Sequence, residues 1–155
     1  MPDLLNLPGY RVIDLDDDGY QYTMLVETVD PRPERCCLFQ EGNLVKNGSK
    51  KNQHFRDAPI HGRVVVVFLD RQRYSCKACG DTLYEILPGV CSTRDMTKRL
   101  VDYIYPRSFE RTFTEIAKDV GLDEGTIRDV FNGEVMRRLR DGGIETPEIL
   151  GIDEK

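Results

Sequence analysis

The sequence predicts an α+β chain in which a β-rich first part gives way to an all-helical second part. Three observations predict it. Up to about residue 91 the apolar residues alternate or run in short blocks between Gly, Pro and Asp-Gly turn signals, as in Tyr10–Leu15, Tyr20–Val29 and Arg63–Tyr74. From Ser92 onward the apolar period lengthens to that of a helix. Between the two parts stands Cys76-Lys77-Ala78-Cys79-Gly80, a tight knuckle and not a stretch of either period.

The first element is a hairpin. Tyr10-Arg11-Val12-Ile13-Asp14-Leu15 alternates as a strand, Asp16-Asp17-Asp18-Gly19 supplies the turn, and Tyr22, Met24, Val26 and Thr28 share one face of the return strand. Three adjacent aspartates suit a solvated hairpin tip better than a metal loop, whose ligands alternate and close with a distant Glu. Pro31 to Arg35 is a stiff polar link and marks a boundary. Beyond it, Leu44 to Gly48 reads as a short strand and turn, Ser49 to Asp57 as a polar, basic stretch, and Pro59-Ile60-His61-Gly62 as a further turn. Tyr84 to Leu87 is a short strand stopped by Pro88-Gly89.

In the helical part, Ser92 or Thr93 can cap a helix that runs to about Tyr105, with Met96, Leu100, Val101 and Ile104 on one face and Pro106 ending it. Phe113 to Asn132 then carries two short helical patterns around a Gly-Leu step, the layout of a DNA-binding helix-turn-helix. Ala117 lets the helices cross closely, Gly121 can take the positive φ of the turn, and Asp123 can cap the second helix. Ile116, Val120, Leu122, Ile127 and Val130 are spaced to fill the wedge between them. The second helix is expected to continue to about Arg140, where Asp141-Gly142-Gly143 breaks it, and Ile144 to Asp153 resembles the start of a new strand. The resulting division is 1–33, an N-terminal β-hairpin region; 34–91, a β subdomain; 92–143, the helix-turn-helix; and 144–155, a first strand.

Charge is distributed unevenly. The chain of 155 residues has a net charge of −5, which alone argues against nucleic acid. Yet residues 31–111 hold fifteen bases against nine acids, flanked by acidic ends, so a basic middle can face phosphate. Lys46, Lys50, Lys51, Arg56, Arg63, Arg71 and Arg73 are the candidate phosphate contacts, and Glu124, Thr126, Arg128 and Asn132 the candidate base readers. With 32% charged residues and a longest apolar run of only Val64 to Leu69, no bilayer span is expected. No basic segment followed by a long apolar core opens the chain, so a cytoplasmic location is expected.

Five cysteines in such a chain fit a metal site better than a disulfide framework. Cys76 and Cys79 would offer two thiolates to one Zn²⁺, and a structural site needs four ligands. Cys36 and Cys37 are placed to contribute, although Phe39 stands three after Cys36. His54, His61 and Cys91 are alternative sources of a ligand. A cysteine pair in a metal-free β subdomain is the competing reading.

Together these features resemble the N-terminal half of bacterial insertion-sequence transposases of the ISL-three family. The resemblance rests on Leu7-Pro8-Gly9-Tyr10-Arg11-Val12 before an acidic hairpin, on Phe55-Arg56-Asp57-Ala58-Pro59-Ile60-His61-Gly62-Arg63, and on Arg73-Tyr74-Ser75-Cys76-Lys77-Ala78-Cys79-Gly80. It implies that 34–91 is a zinc-ribbon-like subdomain, with Cys36, Cys37, Cys76 and Cys79 as the metal residues. It also implies that the chain binds double-stranded DNA at terminal inverted repeats. Glu148 to Glu154 is similar to the first strand of that family's ribonuclease-H-like catalytic domain, in which Asp153 is the first of three carboxylates holding two Mg²⁺. With that domain ending after one strand, the chain by itself is expected not to cut or join DNA. A free-standing transcriptional regulator, binding a palindrome as a homodimer, and a protein-interaction module are the alternatives.

Overall fold

The computed structural model describes residues 3–30, 33 and 44–142. They form a mixed α+β fold with a five-stranded sheet and three helices. The strands are β1 (Tyr10–Asp17), β2 (Gln21–Thr28), β3 (Leu44–Ile60), β4 (Arg63–Cys76) and β5 (Thr82–Tyr84), and the helices are α1 (Lys98–Arg107), α2 (Phe113–Val120) and α3 (Glu124–Arg140). The order is β1-β2-β4-β3. β4 is the spine: β3 pairs with it antiparallel along one edge, while β2 (parallel) and β5 (antiparallel) pair with its other edge in succession.

The β1–β2 hairpin forms as its sequence dictates. Asp18 Oδ1 accepts the backbone N–H groups of Tyr20 and Gln21 at 2.8 and 2.7 Å, and Asp17 Oδ1 accepts that of Gly19 at 2.9 Å. The acidic tip is therefore a turn device, and the two N–H donors hold the Asp18 carboxyl below its ordinary value. Tyr22, Met24 and Val26 point inward and join Val65, Val67, Leu69, Phe55, Tyr10, Leu5 and Leu7 in the core of one sheet face.

β3 differs from its sequence reading. Leu44 to Asp57 looked like a short strand, a turn and a basic stretch; the structure makes a single 17-residue strand of it and the residues up to Ile60. The register against β4 slips between Lys46 and Ser49, Lys50 and Gln53, and Asp57 and Ile60. Each bulge inserts one extra residue and resets which side chains face inward, so the period of two never accumulates. Gly48 and Asn52, at φ 74° and 54°, sit in the first two slips. His61 and Gly62, at φ 51° and 74°, make the two-residue turn into β4.

The helices meet the sheet through α2, against β3 and β4, and through α1, against β3. Their own core comprises Met96, Leu100, Ile104, Ile116, Ala117, Val120, Ile127 and Val130. α1 begins later than Ser92 or Thr93 would place it, because Thr97 is the N-cap, accepting from Leu100 N–H at 3.2 Å. Val90, Met96 and Thr97 form isolated bridges around a bend instead, in which Arg56 N–H donates to Asp95 O and Thr97 N–H to Arg56 O, both at 2.9 Å. Pro106 lies inside the last turn, and the helix ends at Arg107.

Asp57 joins the two layers. Its carboxylate is fully buried and accepts from Thr97 Oγ1 at 2.6 Å, from Arg99 Nε at 2.8 Å and from Arg99 Nη2. Arg99 also donates to the carbonyls of Leu5 and Asn6, at 2.7 and 3.0 Å. One ion pair thus ties the N-terminal segment, β3 and the start of α1 together.

Candidate nucleic-acid interface and cysteine knuckle

α2 and α3 are set by local chemistry at both ends. Thr112 and Glu115 form a reciprocal capping box at the start of α2. Gly121 ends it in the left-handed region (φ 71°, ψ 32°), its N–H donating to Ala117 O at 2.9 Å. Two residues later Asp123 caps α3, accepting Thr126 N–H at 2.8 Å and Thr126 Oγ1 at 2.7 Å. These bonds hold the Glu115 and Asp123 carboxyls below their ordinary values, through the Thr112 N–H and the Thr126 hydroxyl respectively. Depressed carboxyl pKa values add stability that is complete above the unfolded values of 4.5 and 3.8 and is lost as pH falls through the folded ones. Acid titration followed by far-ultraviolet circular dichroism should therefore show a helical loss beginning below about pH 4.5. The double variant Glu115→Gln/Asp123→Asn, which removes both titrating groups, should flatten that limb, and an unchanged acid limb would refute the assignment.

The four residues expected to read bases divide. Glu124, Arg128 and Asn132 are exposed along one face of α3 at successive i+4 positions. The Glu124 carboxylate accepts from Arg128 Nη2 at 2.6 Å and from Thr114 Oγ1 at 3.0 Å, and the Arg128 guanidinium lies 5.9 Å from the Phe113 ring centre. Thr126 is half-buried and turned to the cap.

The seven basic residues of the middle divide as well. Lys46 and Lys50 are exposed on β3 and make no ion pair among the described residues. Lys51 pairs with Asp70 at 2.9 Å in an exposed contact. Arg63 pairs with Asp17, donates to Tyr22 Oη at 3.0 Å and lies over that ring. Arg71 donates to the Glu85 carbonyl, and Arg73 to the Asn47 carbonyl at 2.7 Å. Arg56 is half-buried beside Gly121, and burial lowers its pKa.

Cys76 is the last residue of β4, and Cys79 lies on the turn that follows it. Gly80 N–H donates to Cys76 O at 2.8 Å and Cys76 N–H to Asp81 O at 2.9 Å, which folds β5 back against β4. Cys76 is buried with Leu44 and Tyr74, and Cys79 and Leu83 pack beside them. Leu44 is the register partner of Cys76, so the chain that follows Cys36 and Cys37 enters the sheet beside the knuckle. Cys36, Cys37 and Phe39 lie outside the described residues, as does Asp153. Among the described residues no group of three or more His, Cys, Asp or Glu could hold a metal. His54 lies tilted against Phe68 with ring centres 5.7 Å apart, His61 forms the β3–β4 turn, and Cys91, its thiol pKa pushed up by burial, lies in the loop before α1. The knuckle therefore fits a zinc ion as half a ligand set: two sulfur donors, one at the end of β4 and one on the turn after it, from the four that a structural site takes.

These observations define an α+β chain with a cysteine knuckle at the end of its longest strand pair and an exposed helix beyond it. Residues 36–79 match the family model of the zinc-finger of transposase IS204/IS1001/IS1096/IS1165. The matched stretch opens at Cys36, closes at Cys79, contains β3 and β4, and covers less than a third of the chain. Comparison with curated proteins and with solved structures returned no match. No helix among the described residues is long and apolar enough to cross a membrane.

Asp57, Thr97 and Arg99 were not singled out as a working unit by the sequence. Asp57 figured there only as part of Arg56-Asp57-Ala58-Pro59, and nothing local announces that a residue forty positions on will meet it.

Proposed function

We propose that this chain is the DNA-binding, N-terminal part of an insertion-sequence transposase and recognises the terminal inverted repeats of its element. The observation that carries the proposal is the transposase zinc-finger match over residues 36–79. α2 and α3 are read as the helix-turn-helix. Arg128, oriented by Glu124 and Phe113, and Asn132 read base edges in the major groove, while Lys46 and Lys50 contact phosphate. Cys76 and Cys79, with Cys36 and Cys37, are read as the holders of a structural Zn²⁺, which would lock the β3–β4 end of the sheet. Asp153 and Mg²⁺ belong to the transposition chemistry of a catalytic domain and have no part in DNA binding here.

The test is fluorescence anisotropy on duplexes carrying the terminal repeat or a scrambled sequence, over a range of salt, with zinc measured on the same preparation. Lys50→Ala should weaken binding to both duplexes and reduce the salt slope by about one. Arg128→Ala should cost about 1–3 kcal/mol on the repeat and relax its preference. Zinc should be present at about one ion per chain and absent from Cys76→Ser. Equal losses on the two duplexes for Arg128→Ala would remove α3 from the reading role.

A further inference from the structure

Between the sheet and the segment 84–95 lies a cleft of about 430 Å³, a volume in the range of small-ligand sites. Phe55 and Leu69 line it, Tyr84 contributes a partly open wall, and Ser92 to Asp95 contribute another. Two guanidinium groups reach it, and neither pairs with a carboxylate among the described residues. Arg71 donates through Nε and Nη2 to the Glu85 carbonyl at 3.0 and 2.9 Å, and Arg94 donates to the Asp129 carbonyl at 3.0 Å. Glu85 also lines the cleft; its buried carboxylate accepts from Thr28 Oγ1 at 2.6 Å and forms no ion pair with either guanidinium among the described residues. Asp95 is the exposed acid of the lining.

The cleft combines a cationic end with an aromatic one. Arg71 lies over one face of the Tyr84 ring, 5.3 Å from its centre, and with Tyr84 41% exposed a base would stack on the ring's other face. Gln53 Oε1 accepts from Arg71 Nη1 at 3.5 Å. Ser92 and Thr93 bring hydroxyls to the side where Arg94 stands. Because Arg94 is bonded to the backbone of α3, an anion held there would sit against the helix that carries Arg128.

We infer that this cleft binds a single unpaired nucleotide, its base stacked on Tyr84 and its phosphate on Arg94 and Arg71. A planar ring with a phosphate is the ligand class that uses both ends, and a base still stacked in a duplex cannot reach such a cleft. The nucleotide comes either from a strand end or extrahelical position of bound DNA or from the free pool. The inference deepens the DNA-binding reading, and its test separates the two.

The full-length chain is titrated with a blunt duplex and with the same duplex bearing a three-nucleotide single-stranded overhang, and separately with deoxyadenosine monophosphate under amide chemical-shift detection. The overhang duplex should bind about ten-fold more tightly than the blunt one. Tyr84→Ala should abolish that advantage while leaving blunt-duplex affinity within about two-fold, and Arg94→Gln should abolish it too. Saturable shifts at Tyr84 and Arg94 with the monophosphate assign the free nucleotide as a source, and shifts with the overhang alone assign the strand. Equal binding of both duplexes with no monophosphate shifts overturns the cleft and leaves the DNA-binding reading standing. An advantage that survives both substitutions also overturns it. Saturable monophosphate shifts lost in Tyr84→Ala, without binding of any duplex, would uphold the cleft and remove the DNA-binding reading.

Discussion

Replacing Asp57 by alanine should destabilise the fold by about 3–5 kcal/mol, the cost of breaking a buried ion pair by removing one partner. The carboxylate is fully buried and takes three hydrogen bonds from Thr97 and Arg99 across the sheet–helix boundary. Its removal leaves the half-buried Arg99 guanidinium with only the Leu5 and Asn6 carbonyls and no counter-charge, and the hydroxyl of the α1 N-cap without its acceptor. Asp57→Asn keeps one acceptor oxygen and should fall between wild type and alanine. Because Asp57 and Arg99 act as a unit, Asp57→Ala/Arg99→Ala should cost less than the sum of the single changes. Urea unfolding measures all four, and a single-variant loss below about 1 kcal/mol would show that the pair does not hold the layers together.

Gly121→Val should cost about 3 kcal/mol, from two separate sources. The backbone at φ 71° is the left-handed region, in which a β-branched residue is strained. A Cβ there would also lie 2.7 Å from Val64 Cγ1 and 3.0 Å from Arg56 Nη1, so the α2–α3 turn would have to lift off the sheet. Gly19 provides the control: its φ is 91°, yet nothing lies within 4 Å of a Cβ placed on it. Gly19→Ala therefore reports strain alone, and Gly121→Ala should exceed it in thermal unfolding. Equal losses at the two glycines would mean that the turn is not packed on Val64.

The helical part was largely legible because its signals are local. The apolar spacing of Ile116, Val120, Ile127 and Val130 became its core, Asp123 became the cap of α3, and Gly121 took the positive φ expected of it. The same holds for the β1–β2 hairpin, whose inward face of Tyr22, Met24 and Val26 follows from simple alternation. The Thr112–Glu115 box was equally local, yet its Thr112-x-x-Glu115 pattern went unread. The start of α1 was not legible, since Ser92, Thr93 and Thr97 are all competent caps and a carboxylate on β3 selects the third.

By itself, the sequence determined the α+β order of elements, the α2–α3 pair with its Gly121 turn and Asp123 cap, and the Cys76–Cys79 knuckle closed by Gly80. Periodicity, capping and turn chemistry act over a few residues, and the residues that carry them are neighbours in the chain. Tertiary structure alone decided the single long β3, the parallel pairing of β2 with β4, and the fate of each basic residue. A strand with three bulges loses its alternation, so only its partner strand defines its register. Seven cations looked alike in the sequence; Arg63 found a carboxylate in a distant hairpin and Arg71 a distant backbone carbonyl, while Lys46 and Lys50 stayed exposed. The free energy of a charge depends on what the fold brings within a few ångströms of it, and that is a property of the chain only once it has folded.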